Sequence, residues 1–204
     1  MMKLKKINVG IIVVSFIINT IFMILTLIGK YSSNILVCLS LYIILFIPVI
    51  VNKFFKINIS DSSQFIYLTF IFVAQLLGSI AHFYILIPWF DSFTHFISGV
   101  LSPLFALQLL VLFDKYNQDN KLFNILFCIA FTLMIASFWE IFEFSADRIF
   151  GRDAQKVLET GVTDTMKDIT CALLGALLCL IGYVYDIISA KNKLSKIIYD
   201  IKKD

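Results

Sequence analysis

Three short stretches place ionisable side chains where an apolar helix should carry none. "SFWEIFEFSADR" (residues 137–148) sets Glu140, Glu143 and Asp147 at the end of a long apolar run. "WFDSFTH" opens another run with Asp91, and His95 follows one turn later. "TDTMKD" opens a third with Asp164 and Asp168. Spacings of three and four put both members of each pair on one helix face. Ionisable groups inside spanning helices are costly and usually face a bundle interior or a wet cavity. One imidazole among several carboxylates is a donor set for a divalent ion such as Zn, Mn or Fe. A bound ion would relieve the repulsion between the carboxylates, some of which would otherwise stay protonated. It could also activate a water, with a spare glutamate as general base.

The elements that position these groups follow from composition. The chain of 204 residues is 60% hydrophobic and 15% charged, with a mean hydropathy of +0.92. That is a polytopic membrane protein's composition. Six apolar runs are long enough to cross a hydrocarbon core, at about 17–25 residues each: 7–28, 35–51, 64–87, 93–113, 122–146 and 165–189. Unbroken apolar runs without alternation point to helices rather than barrel strands. The expected fold is all-α, a single membrane helix bundle over 1–190 with a basic cytoplasmic tail at 191–204. The first run is too long for a signal-peptide core and lacks a small-residue cleavage site, so it reads as an uncleaved first span.

Lys/Arg bias orients the bundle. With the N-terminus inside, Lys3, Lys5, Lys6, Lys53, Lys56, Lys115, Lys121, Lys191, Lys193, Lys196, Lys202 and Lys203 are inside, against Lys30, Arg148, Arg152 and Lys156 outside. Both termini are therefore expected in the cytoplasm. Glu140 then lies about 27 Å along its helix, near the outer boundary. Asp91, His95, Asp164 and Asp168 start their helices at the same depth, and His82 closes the outer end of the third run. The expectation is one outward-facing site between the fourth, fifth and sixth helices. His95, Glu140, Glu143 and Asp168 are its metal ligands, with Glu140 and Glu143 also the catalytic candidates. Asp91, Asp164, His82 and Asp147 are orienting groups.

Each residue also has a plainer role. Asp91 and Asp164 sit where helix N-caps would. Asp147 suits interfacial water, and His82 suits the interface itself. Trp89 and Trp139 fit an aromatic belt; Gly99, Gly175 and Ala176 fit close helix packing. Cys38, Cys128, Cys171 and Cys179 all lie in apolar runs, and no CxxC pair occurs. The Lys-rich tail suits anionic headgroups, at about 1 kcal/mol per basic residue near the surface. A net charge of +3 with no basic-aromatic stripe gives no sign of a nucleic-acid partner. Lysine far exceeding arginine, with abundant Ile, Asn and Phe, is the composition of a low-GC bacterium, hence a plasma-membrane location.

The blocks "WFDSFTHFISGVL", "SFWEIFEFSADRIFG" and "TGVTDTMKDITCALLGAL" resemble the signature blocks of the YjdF-like family of bacterial integral membrane proteins, whose function is uncharacterised. The resemblance falls on Asp91, His95, Gly99, Trp139, Glu140, Glu143, Asp164, Thr165, Asp168, Gly175 and Ala176, roughly the second half of the chain. It implies a membrane bundle and no particular reaction. VanZ-like membrane proteins are more distantly similar. This chain lacks their Gln after the glutamate and their Arg and Asn around the last aspartate.

Three functions fit, in this order: a metal-dependent enzyme on a lipid-linked or outer-leaflet substrate; a non-catalytic scaffold or assembly factor whose polar cluster is an ion-pair network with Arg148, Arg152 or Lys167; and a proton-coupled transporter. The carboxylates crowd one leaflet and no inverted repeat is visible, which counts against transport. Neither HExxH, a Walker loop nor a nucleophile elbow occurs. Substrate, metal identity and oligomeric state are not encoded in any motif.

Overall fold

The computed structural model describes residues 2–151, 153, 155–189 and 193–203. Arg152 and Lys191 lie outside the described residues. The chain is helical almost throughout: α1 (Met2–Leu27), α2 (Ile35–Leu45), α3 (Ile47–Phe55), α4 (Asp61–Ile71), α5 (Phe83–Leu86), α6 (Phe90–Leu112), α7 (Lys121–Phe150), α8 (Val157–Thr160), α9 (Thr163–Ile188) and α10 (Lys193–Ile198). A π-helical segment, Phe72–Ile80, continues α4. Among the described residues, five helices are long and apolar enough to cross a membrane, and six spans result if α2 and α3, bent by 48°, count as one. An all-α, multi-pass architecture is what the apolar runs predict.

Two compact units make up the chain. The first is Met1–Phe90 with Asp200–Asp204; the second is Asp91–Tyr199.

In the first unit, Cys38, Leu41, Leu45, Leu68, Leu76 and Ile80 form the buried core. Local chemistry explains its helix ends. The Asn34 side chain accepts from the Leu36 amide to start α2, and Ser60 accepts from the Ser63 amide to start α4. Each satisfies an amide that a helix start leaves without a partner. The bend after Leu45 falls beside Pro48, which cannot donate a helical hydrogen bond. The third apolar run was expected to continue to residue 87, but the α-helix gives way to the π-helical segment after Ile71, and that segment ends at Ile80. His82 takes a left-handed backbone (φ 64°) and reverses the chain. The reversal folds Tyr84 onto Gly78, where an added Cβ would come within 2.3 Å of the ring. Tyr31 donates to the Ile80 carbonyl (3.0 Å) and its ring stacks on His82, so the freed end is satisfied. Two three-residue strands, which no sequence pattern announced, complete the unit. β1 (Ile57–Ile59) pairs antiparallel with β2 (Ile201–Lys203), with Asn58 opposite Lys202.

In the second unit the core comprises Ala106, Leu107, Leu110, Cys128, Leu180, Tyr183 and Ile198. Asn124 donates to the Tyr183 hydroxyl (3.0 Å) and to the Asn117 carbonyl (2.9 Å). Gln108 donates to the Ile197 carbonyl (2.8 Å), tying α10 to α6. Gly99 and Gly175 let α6 and α9 touch backbone to backbone. A Cβ on Gly99 would lie 1.9 Å from the Ala172 carbonyl oxygen, and one on Gly175 would lie 2.1 Å from that of Phe96. This is the small-residue contact of membrane helix pairs. Gly151, in the left-handed region at φ 62°, ends α7, its amide bonding back to the Asp147 carbonyl.

Candidate functional site

The close contact at Gly99 and Gly175 sets the site's geometry. One turn before Gly99 on α6 is His95; one turn before Ala172 on α9 is Asp168. The backbone contact therefore holds these side chains face to face. The His95 Nε2 lies 4.0 Å from Asp168 Oδ2 and 3.7 Å from Asp91 Oδ1. Neither distance is a hydrogen bond. One ligand atom from each of Asp91, His95 and Asp168 lies within 4.8 Å of the other two. His95 and Asp168 are buried, at 8% and 2% exposure.

Two lysines share the carboxylates. Lys156, in the connection between α7 and α9, donates to Asp91 Oδ2 (2.6 Å) and pairs with Asp164 Oδ2 (3.2 Å). Lys167 donates to Asp164 Oδ1 and stands 4.0 Å from Asp168 Oδ1. Burial alone would lower the Lys156 amine, but its bonds to Asp91 and Asp164 outweigh that and hold it above the usual lysine range. Asp164 sits in the first turn of α9, yet the position before that helix is Val162, with no side-chain cap. The carboxylate of Asp164 is spent on the lysines rather than on capping.

The fifth apolar run contributes differently. Gln155 is buried, and its side-chain amide donates to the Glu140 carbonyl (3.1 Å), to Glu140 Oε2 (3.2 Å) and to Thr165 Oγ1 (3.2 Å). The other oxygen of Glu140, Oε1, is buried with no hydrogen-bond partner, as is Asp168 Oδ1. Glu143 accepts from the Trp139 indole (3.0 Å). Asp147 accepts from the Gln155 backbone amide (3.1 Å). Arg148 packs over the Phe144 ring. His82 belongs to the first unit, where its Nε2 meets the Ser32 carbonyl at 2.6 Å.

The structure thus groups Asp91, His95 and Asp168 as potential ligands. Asp164 serves the lysines, and Glu140 and Glu143 are held by Gln155 and Trp139. Gln155 and Lys156, which contact Glu140 and Asp91, were not singled out from the sequence. Lys156 had one visible signal: it is among the few cations on a side rich in carboxylates. Beside Glu140 runs a groove of ≈ 450 Å³, lined by Glu140, Ile141, Phe144, Gln155, Val157, Gly161, Val162 and Thr165. Its walls are mainly apolar.

Long apolar helices joined by short connections, with a buried His/Asp cluster, define a multi-pass integral membrane protein. The chain belongs to the family described as predicted membrane protein (DUF2238), which matches residues 11–187; this is the YjdF family that the three blocks resemble. No curated protein and no solved structure matches the chain.

Proposed function

We propose that this protein is a metal-dependent membrane enzyme acting on a lipid-linked or headgroup-level substrate. The observation that carries the reading is the Asp91–His95–Asp168 arrangement. Its atoms stand too far apart for hydrogen bonds and close enough to share an ion. A zinc at about 2.1 Å from each would draw them to about 3.4 Å of one another, an inward movement of roughly half an ångström. Asp168 Oδ2, the oxygen that faces His95, makes no hydrogen bond to it at 4.0 Å, while Oδ1 stands toward Lys167.

When bound, a divalent ion would supply Lewis acidity and lower the pKa of a water. The chain's own residues do the rest. Lys156 fixes the Asp91 carboxylate, leaving Oδ1 turned to His95. Gln155 holds Glu140 and Trp139 holds Glu143, and these glutamates are the candidates for moving a proton to or from substrate. The apolar groove beside Glu140 suits a hydrocarbon chain entering from the bilayer. By the lysine bias we place both termini in the cytoplasm and the site at the outer face of the plasma membrane.

Elemental analysis of the detergent-purified chain tests the proposal. Stoichiometric metal is expected in the native protein and in Glu140→Gln, and its loss is expected in His95→Ala and Asp168→Asn. Absence of metal from native protein purified without chelators, and after supplementation with Zn, Mn or Fe, would sink it. One observation favours a second reading, a non-catalytic scaffold: Lys156 and Lys167 already pair with Asp91 and Asp164. On that reading every substitution in the cluster lowers stability in step with any loss of phenotype.

A further inference from the structure

The β1–β2 ribbon gathers lysines from three distant parts of the chain. β1 follows directly on α3, whose end carries Lys53 and is continued by Lys56, both exposed. β2 lays the tail antiparallel along it, bringing the backbone of Lys202 and Lys203 opposite Asn58 and Ile57. The start of α1 joins the same end: the Asn8 side-chain amide donates to the Asp61 carbonyl (2.8 Å), in the first turn of α4. Lys5 and Lys6, exposed, stand within a turn of Asn8. The opposing acids on these elements are half-buried Asp61 and exposed Asp200. Phe54 and Phe55, 73% and 65% exposed, flank the lysines.

We propose that this end of the first unit is a binding site for anionic phospholipid headgroups, organised by the ribbon. The spans fix where it lies: α1 and α4 begin here and the α2–α3 span ends here, so the lysines stand at one bilayer surface. Clusters of four to eight basic residues beside a span attract anionic lipid, and each lysine is worth roughly a fivefold gain in affinity. Exposed phenylalanines at that depth meet acyl chains while the ammonium groups meet phosphate. Pairing of the two strands fixes the tail's backbone beside Lys53 and Lys56, which a free tail would not do. The proposal is independent of the metal site.

The test uses the full chain with Cys128, Cys171 and Cys179 replaced by Ala, so that buried Cys38 reports unfolding of the first unit through a thiol-reactive fluorophore. In nanodiscs of phosphatidylcholine, added phosphatidylglycerol should raise the unfolding temperature and saturate at a low mole fraction. Replacing Lys5, Lys6, Lys53 and Lys56 by Gln should weaken the response at least tenfold in phosphatidylglycerol concentration, whereas Arg at the same positions should preserve it. Asn58→Pro keeps every lysine but disrupts the ribbon, and should also lose the saturating response. An unchanged response in the Gln or the Pro variant would overturn the proposal. So would a rise that never saturates, or one that inorganic phosphate reproduces.

Discussion

Replacing Gly99 by Ala puts a methyl carbon 1.9 Å from the Ala172 carbonyl oxygen. That is more than about 1 Å inside any tolerable contact. The obstacle is backbone, so no side-chain rotation removes it, and α6 must move from α9 by about that distance. Overpacking of this kind costs about 1–3 kcal/mol or more. At roughly 2–4 °C per kcal/mol for a chain of this size, the unfolding temperature should fall by about 3–10 °C. The same displacement opens the 4.0 Å gap between His95 Nε2 and Asp168 Oδ2, so metal binding should weaken with stability. Thermal release of the buried thiols Cys38 and Cys128 supplies the unfolding readout, and isothermal titration supplies the affinity. Gly10→Ala is the control, because nothing lies within 4 Å of its added Cβ and helix propensity makes it neutral or stabilising by up to about 1 kcal/mol. A Gly99→Ala protein that melts within about 1 °C of the native chain would refute the backbone contact and the placement of His95 that depends on it.

Lys156→Met removes a cation from between Asp91 and Asp164; stability should drop, while affinity for a divalent ion measured by titration rises several-fold. The Lys156 amine is held above its unfolded value of about 10.4. Its stabilisation is therefore complete below that value and lost only as pH rises through the higher folded one. The Lys156→Met penalty in unfolding temperature should accordingly stay level from pH 7 to 9, and a penalty that fades by pH 9 would contradict the ion pairs. Tyr183→Phe leaves the Asn124 amide only its bond to the Asn117 carbonyl and removes the partner of the Tyr116 hydroxyl; a loss of about 1–3 kcal/mol is expected in denaturant titration. Gln155→Ala should lower both stability and any Glu140-dependent activity, since it frees one glutamate oxygen while the other already has no partner.

The spans were legible in the sequence because a membrane demands length and apolarity, and Ile35 and Leu122 open runs that need no tertiary information. Gly99 and Gly175 were legible too, as small residues in apolar helices. Where the third helix stopped was not: the π-helical segment and the turn at His82 depend on Tyr84 packing back onto Gly78, a contact no local pattern reports. The Asp91–His95 and Asp164–Asp168 pairs could be found from their spacing. That Glu140 is bonded to Gln155 rather than grouped with His95 could not, because it depends on how the connection after α7 folds back. Gln155 and Lys156 lie in a connection without periodicity, and only the folded chain shows that they reach back to Glu140 and Asp91. The ribbon escaped for the same reason, since more than two-thirds of the chain separates Asn58 from Lys202.

The thirty residues of α7 span about 45 Å, against a hydrocarbon core of about 30 Å. A helix that long cannot stand upright within the core. It must tilt, or send about ten residues past one boundary. With Lys121 at one headgroup layer, the surplus is the stretch from Glu140 to Phe150. Hydrophobic mismatch then acts on the carboxylates directly: a thicker bilayer draws Glu140 toward hydrocarbon, and a thinner one lifts it into the headgroups. The hydration of Glu140 and of the groove beside it should therefore respond to acyl-chain length, making bilayer thickness a variable of the site's chemistry.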